Sequence, residues 1–135
     1  HKERRGKNWL TFESPFNADK SISFAAENFN AILFDCVTIY ISNFLCAANL
    51  EDEAQLYKNL RGLIQKLIDA AKNSNATTIF VTNEVGAGIV PENKLARHFR
   101  DLAGLANQML AAKAEKVFLT IAGIAIDVKK LEMTL

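Results

Sequence analysis

The sequence predicts an α/β protein whose mostly parallel sheet lies between two layers of helices, giving three layers in all. Two observations predict this class. Short apolar segments rich in β-branched residues alternate along the chain with longer segments of helical periodicity, an order typical of parallel sheets. At 135 residues the chain has the length of one domain, and no internal repeat or low-complexity linker divides it. We therefore predict a single α/β domain over residues 1–135.

Composition and charge exclude several classes of function. Half of the residues are hydrophobic, and 16 basic against 15 acidic residues give a net charge of +1. This balance favours binding neither to nucleic acid nor to a membrane surface. The sequence has no apolar run of membrane-spanning length and no visible signal peptide. Cys36 and Cys46 lie in apolar surroundings without zinc-ligand spacing, so we predict buried thiols in a reducing, cytoplasmic compartment.

The first half of the chain contains five predicted elements. Alternation of apolar and polar residues indicates one short strand, and an apolar run ending at Asp35 indicates a second, buried strand. Asn49 is suited to cap the clearest amphipathic helix of the chain. The predicted strands are residues 9–13 and 31–34, and the predicted helices are residues 16–28, 37–48 and 49–73.

The second half is predicted to contain two buried strands and one long helix. The strands are residues 77–81 and 117–122, and a helix over residues 92–115 begins directly after Pro91, which suits a first helical position. Within this helix, His98 is expected on the surface, and Gly104 predicts a close helix contact or a bend. Residues 124–135 form an apolar and basic tail without clear periodicity.

Two strand ends carry polar or glycine-rich sequences that point to a ligand site. Residues 82–91, Thr-Asn-Glu-Val-Gly-Ala-Gly-Ile-Val-Pro, follow a strand and precede a helix, and ligands of open α/β sheets bind outside the carboxyl ends of strands. Gly86 and Gly88 permit unusual backbone conformations or close approach of a ligand. Asp35 ends a strand as a Mg²⁺-binding Walker B acid does. Each signal alone also fits an ordinary connection, because Asp and Gly both favour turns.

Several sequence strings, taken together, resemble one enzyme family. They are His1…Arg5…Trp9-x-Thr-x-Glu13, Leu33-Phe-Asp-Cys36 with Ser42-Asn43, Thr-Asn-Glu-Val-Gly-Ala-Gly-Ile-Val-Pro at 82–91, Leu-Ala-Arg-His-Phe-Arg-Asp-Leu-Ala-Gly at 95–104, and Asn107-Gln108. In order and spacing they resemble the bifunctional adenosylcobinamide kinase and adenosylcobinamide-phosphate guanylyltransferase of cobalamin biosynthesis. The resemblance covers nearly the whole chain, and the Asn-Glu-Val-Gly-x-Gly-Ile-Val-Pro string is far more specific than a lone glycine motif.

The resemblance implies a fold, a reaction and a site. The fold would be a P-loop NTPase of the RecA-like kind, in a homo-oligomer. The reactions would be phosphorylation of adenosylcobinamide by ATP or GTP, and then transfer of GMP from GTP through a guanylylated histidine. The family histidine falls on His1, with Lys2, Glu3, Arg4, Arg5 and Glu13 along the bound GTP, and Asp35 as the nucleotide and Mg²⁺ acid.

The residue types agree with these implied roles. A neutral imidazole is a nucleophile near pH 7 and can carry a phosphoryl substituent, while arginines neutralise phosphate oxygens. The basic amino terminus alone would equally fit a disordered tail, and His1 alone a terminal residue without a role. Asn83, Glu84, Gly86 and Gly88 are our candidates for corrinoid contact, because they follow a strand's carboxyl end.

One family motif is missing from the printed sequence. The family opens with a strand and a Gly-x-x-x-x-Gly-Lys-Ser loop that cradles phosphates, and these 135 residues contain no such string. We expect the first strand and the P-loop to be missing from this chain, which would then be the larger carboxyl-terminal part of the enzyme, without kinase activity as written. The alternative is a truncated, non-catalytic remnant that binds a nucleotide or a corrinoid.

Overall fold

The computed structural model describes Gly6 and residues 8–133. Short 3₁₀ turns lie at Val85–Ala87 and Val128–Leu131. The helices are α1 (Ala18–Ala26), α2 (Val37–Ala47), α3 (Glu53–Lys72) and α4 (Lys94–Lys113), and the strands are β1 (Ala31–Asp35), β2 (Thr77–Val81), β3 (Phe118–Ile121) and β4 (Ile124–Asp127).

A parallel pair of strands positions the predicted site. β1 and β2 pair in parallel, with Ala31 opposite Thr77 and Asp35 opposite Val81. Both strands therefore end at the same edge of the sheet. The mixed α/β class and the parallel pairing were both predicted correctly.

The helices cover one face of the β1–β2 sheet. On that face Ile32, Phe34 and Phe80 pack against the buried core. On the opposite face Leu33 and Ile79 are exposed. The described residues thus form two layers where three were predicted, and the strands are half-buried instead of buried.

The core lies among the four helices. α3 packs against both α1 and α4, and α4 also contacts α2. Leu60, Ile64 and Leu67 of α3 are fully buried, at the spacing that places side chains on one face of a helix. Burying each such side chain stabilises the fold by about 1.5–3 kcal/mol. The amphipathic helix predicted over residues 49–73 therefore places its apolar face in the core.

Two helix starts differ from the prediction because other side chains cap them. The Asp52 carboxylate accepts from the Gln55 amide at 2.9 Å, so α3 begins after Asp52. Asn49 instead accepts from the Glu51 amide at 3.0 Å in the preceding turn. Likewise α4 is capped by Asn93, which accepts from the Ala96 amide, so Pro91 precedes the helix without starting it.

The last predicted strand forms a separate hairpin. β3 pairs antiparallel with β4, whose sequence lies in the tail that showed no clear periodicity. Ala122 and Gly123 between them both have positive φ, 50° and 79°, as two-residue hairpin turns with the favoured twist require. Because every residue of β3 is exposed, the prediction of a buried strand there was wrong.

Residues 9–13 do not form the predicted strand. A strand needs a hydrogen-bonded neighbour, and neither of the two sheets in the described residues includes this segment. Its Phe12 ring instead meets Phe24 of α1 edge-on, at 5.8 Å between ring centres.

Among the described residues, no helix has the length and hydropathy needed to cross a membrane.

Candidate functional site

The common edge of β1 and β2 brings two predicted site segments together. Asp35 is the last residue of β1 and is exposed at this edge. Val81 lies opposite it and is followed directly by Thr82, Asn83 and Glu84. The acid proposed for Mg²⁺ and the residues proposed for the corrinoid therefore share one edge of the sheet.

Asn107 of α4 holds the segment after β2 through three partners. Its side-chain oxygen accepts from Thr82 Oγ1 at 2.6 Å. Its Nδ2 donates to the Asn83 main-chain carbonyl at 3.1 Å and to Glu84 Oε1 at 3.0 Å. One amide side chain thereby bonds to three consecutive residues.

A second connection joins this segment to the start of α2. Asn83 Nδ2 donates to Thr38 Oγ1 at 2.7 Å, and Thr38 Oγ1 lies 3.1 Å from Cys36 Sγ. Thr38 is buried, and Cys36 directly follows Asp35. The ends of both strands are therefore joined through α2 as well as through the sheet.

The glycines of the following turn do not take special backbone conformations. Within the described residues only Gly123 among the glycines has positive φ, so the expectation of unusual backbone angles at Gly86 or Gly88 was wrong. A Cβ built on Gly86 would meet no atom within 4 Å, and one on Gly88 would meet only the Val85 carbonyl at 3.8 Å. Close approach of a ligand to these glycines stays a prediction.

A shallow depression lies between this turn and α4. It is lined by Gly86, Arg100, Asp101, Gly104, Leu105 and Gln108. A Cβ at Gly104 would meet no atom within 4 Å, and α4 continues through this position. Among the described residues Gly104 therefore makes no close helix contact, and the alternative of a bend stays a prediction.

The remaining predicted nucleotide-binding residues lie towards the amino terminus. His1, Lys2, Glu3, Arg4 and Arg5 lie outside the described residues. Glu13 is exposed in the extended segment that precedes α1. Their predicted roles remain predictions.

Two side-chain placements differ from the sequence interpretation. His98 is only 6% exposed, so its prediction as a surface residue was wrong. It lies four residues before Leu102 and eight before Ala106, both buried, and this helical spacing was a signal that could have placed it inside. Cys36 is half-buried and Cys46 is exposed, so the thiols are not the buried pair predicted.

The carboxylate of Asp35 is of the type that holds Mg²⁺ in proteins. In the part of the chain that the structure describes, no three His, Cys, Asp or Glu side chains come together. Mg²⁺ commonly uses one or two carboxylates, several waters and substrate phosphates. Asp35 can supply such a carboxylate at an accessible strand end.

Comparison with known proteins decides the family. The family model described as cobinamide kinase / cobinamide phosphate guanyltransferase matches residues 1–128. The chain belongs to this family. The match confirms the predicted family and includes both strand ends of the candidate site.

Curated relatives agree with the assignment. The chain is 42% identical to the bifunctional adenosylcobalamin biosynthesis protein CobU of Salmonella typhimurium over 96% of its own length and 75% of that protein. It is 38% identical to the CobU protein of Escherichia coli over the same shares. It is 33% identical to the CobP protein of Pseudomonas aeruginosa, over 96% of this chain and 70% of that protein.

Sequence reasoning gave no role to two residues of the site. Asn107 had appeared only within a family-like string, and Thr38 carried no signal beyond its nearness to Asp35. The partners of Asn107 are 23–25 residues distant in sequence, and Thr38 is 45 residues from Asn83. Periodicity within a single element cannot reveal such contacts.

Proposed function

We propose that this chain is part of an enzyme that phosphorylates adenosylcobinamide and then transfers GMP to the product. The observation that carries the proposal is the family match over residues 1–128. The names of the relatives, bifunctional adenosylcobalamin biosynthesis proteins, support it. The polar cluster at the common end of β1 and β2 supports it as well, since ligands of such sheets bind there.

The kinase reaction transfers a phosphoryl group to the corrinoid. The aminopropanol hydroxyl oxygen of adenosylcobinamide attacks the γ-phosphorus of ATP or GTP. The bond from that phosphorus to the β-phosphate oxygen breaks, the nucleoside diphosphate leaves and the hydroxyl proton is lost. Positioning and neutralisation of charge supply most of the catalysis in such reactions.

The guanylyl transfer proceeds in two steps through His1. An imidazole nitrogen attacks the α-phosphorus of GTP, and pyrophosphate leaves. A phosphate oxygen of adenosylcobinamide phosphate then attacks the same phosphorus, and the phosphorus–nitrogen bond breaks. A covalent intermediate of this kind divides one difficult transfer into two easier steps.

Other residues of the chain bind and orient the reactants. Lys2, Arg4 and Arg5 would neutralise phosphate oxygens of GTP, and Glu3 and Glu13 would lie along the nucleotide. Asp35 would hold Mg²⁺, which neutralises phosphate charge when bound. Asn83 and Glu84, fixed by Asn107 and Thr38, would bind corrinoid polar groups, while Gly86 and Gly88 leave room for the corrinoid.

The test is covalent labelling with GTP that carries ³²P at the α-phosphate. We expect the full-length protein with Mg²⁺ to take up label that is lost in acid and retained in alkali. His1→Ala should abolish it. The chain has two histidines, so a His98→Gln variant with an unchanged circular dichroism spectrum is the matched control and should keep the label. Equal labelling of His1→Ala and the unaltered protein would exclude His1 as the carrier.

The same experiment separates the enzyme from a binding remnant. The second candidate is a truncated, non-catalytic remnant that binds a nucleotide or a corrinoid. A remnant would bind GTP or adenosylcobinamide in equilibrium dialysis and form neither label nor product.

Homo-oligomer formation also remains a prediction, to be measured by sedimentation velocity.

A further inference from the structure

We propose that Asn107 is a positioning residue that holds Glu84 and the main chain of residues 82–84 in the conformation that binds the corrinoid. This inference rests on the proposed function, because the corrinoid contact of Asn83 and Glu84 belongs to that proposal. Asn107 itself would touch no reactant. Its role would be exerted through the three consecutive residues that it bonds.

The partners fix which way the Asn107 amide faces. The Asn83 carbonyl and the ionised Glu84 carboxylate can only accept hydrogen bonds. The amide NH₂ group must therefore face them, at 3.1 and 3.0 Å. Thr82 Oγ1, at 2.6 Å from Asn107 Oδ1, must then donate its hydroxyl proton. One orientation satisfies all three contacts, so the amide has no equivalent alternative.

The position of Asn107 makes it a fixed support for an otherwise exposed segment. Thr82, Asn83 and Glu84 are exposed, whereas Asn107 is half-buried on a helix. Its neighbours Ala103, Ala106 and Leu110 on α4 are buried in the core. The amide is thus attached to the rigid part of the molecule and reaches out to the strand end. Functional groups are held most precisely when a packed element supports them in this way.

The bond to Glu84 matters most for binding. A hydrogen bond to a charged group contributes more than one between neutral groups. Without it, the Glu84 side chain would sample several rotamers, and ordering it on the ligand would weaken binding. The expected consequence is a defect in corrinoid binding with no defect in the reaction of GTP.

The experiment measures steady-state kinetics of Asn107→Ala in the full-length protein. We expect KM for adenosylcobinamide phosphate to rise about tenfold, the effect of one hydrogen bond to a charged group. KM for GTP and the GMP labelling of His1 should not change. Asn107→Asp, which keeps the size of the side chain and loses its donors, should raise KM at least as much because its carboxylate faces Glu84.

A matched control addresses the general effect of replacing asparagine on a helix. Asn59 is an exposed residue of α3 whose side-chain oxygen accepts from Gln55 Nε2, one turn away, at 2.6 Å. Asn59→Ala should leave every kinetic constant unchanged. Thermal unfolding of all variants distinguishes a local effect from a loss of folded protein, since a merely structural role would lower Tm and affect both substrates.

A double-mutant cycle tests whether Asn107 acts through Glu84. In a Glu84→Gln background, Asn107→Ala should raise KM by a clearly smaller factor than in the unaltered protein, because interacting residues are not additive. Fully additive effects would overturn the proposal. So would an unchanged KM for the corrinoid, or KM values for both substrates that rise in proportion to a loss of Tm.

The measurements also distinguish an error in the proposed function from an error in the positioning role of Asn107. If the unaltered protein shows no turnover, the proposed function is wrong, and adenosylcobinamide binding by equilibrium dialysis replaces KM in the same cycle. A weaker affinity of Asn107→Ala would then still support the positioning role. Equal binding by both proteins, or no binding by either, would overturn it.

Discussion

At the residue scale, the first turn of α1 depends on a hydroxyl group from another helix. Asn17 before α1 has left-handed backbone angles, φ 52° and ψ 38°, and its side chain makes no capping hydrogen bond. The Ala18 amide instead donates to the Tyr40 hydroxyl of α2 at 3.3 Å. Because both residues are buried, water cannot easily replace this hydrogen bond.

Tyr40→Phe should therefore destabilise the protein. The change keeps the ring, which meets Phe34 edge-on at 5.5 Å, and leaves the Ala18 amide without its partner. We expect the free energy of unfolding in urea at pH 7 to fall by about 1–2 kcal/mol. Tyr57→Phe, at a half-buried position on α3, is the control and should change it little. Equal losses in both variants would contradict the capping role.

The same tyrosines predict a loss of stability in alkali. Burial raises the pKa of Tyr40 above its usual 10.0. Burial also raises the pKa of Tyr57, with smaller contributions from the Asp101 and Glu53 charges. The folded state thus holds these protons more tightly than the unfolded state, so the stabilisation is complete below pH 10 and is lost as pH rises through the folded pKa values. Urea unfolding at successive pH values should show this decline, and it should be shallower in Tyr40→Phe.

At the scale of the element, helices could be predicted because their pattern is local. The apolar spacing of α3 and α4 is visible in any window of the sequence. The first residues of these helices were less predictable. Asn49 and Asp52 are both suitable caps for α3, and the folded structure uses Asp52. For α4 it uses Asn93. His98 was misplaced for a different reason: its residue type suggested the surface, while its spacing from Leu102 placed it on the buried stripe.

The selected cap of α3 can be tested directly. Asp52→Ala removes the carboxylate that accepts from the Gln55 amide at 2.9 Å. It should lower the free energy of unfolding by about 1 kcal/mol, as loss of an N-cap usually does. Asn49→Ala is the matched control, because the hydrogen bond that Asn49 accepts from the Glu51 amide lies within the turn before the helix. A larger loss of stability in Asn49→Ala would mean that Asn49 caps the helix, as predicted from the sequence.

Replacing either of two helical glycines by alanine should stabilise the protein. A Cβ at Gly62 of α3 or Gly104 of α4 would meet no atom within 4 Å. Gly62→Ala and Gly104→Ala should each raise the free energy of unfolding by roughly 0.5–1 kcal/mol, because alanine loses less backbone freedom in a helix. Gly123→Ala is the contrasting control: its φ of +79° disfavours alanine and predicts destabilisation. A loss of stability at Gly104 would indicate a close contact there.

At the scale of the whole molecule, the features that the sequence could not predict depend on strand pairing and on contacts between side chains distant in sequence. The parallel alignment of β1 and β2 was predictable because a helical connection separates them. The β3–β4 hairpin was missed because its second strand, Ile124–Asp127, lies in the tail in which no clear periodicity was recognised. Site residues were predicted at two strand ends, at Asp35 and within residues 82–91. Asn107 and Thr38 join them only when distant helices pack beside the sheet.

Neighbouring residues of β2 give a test of the number of layers. Ile79 is 52% exposed on the open face, whereas Phe80 packs against the core and lies 5.6 Å from the Phe34 ring. Phe80→Ala should lower the free energy of unfolding by about 3 kcal/mol, and Ile79→Ala by no more than about 1 kcal/mol. Urea unfolding of the full-length protein measures both. Equal losses would mean that the open face is covered in the folded protein, and the three-layer arrangement predicted from sequence would then replace the two layers described.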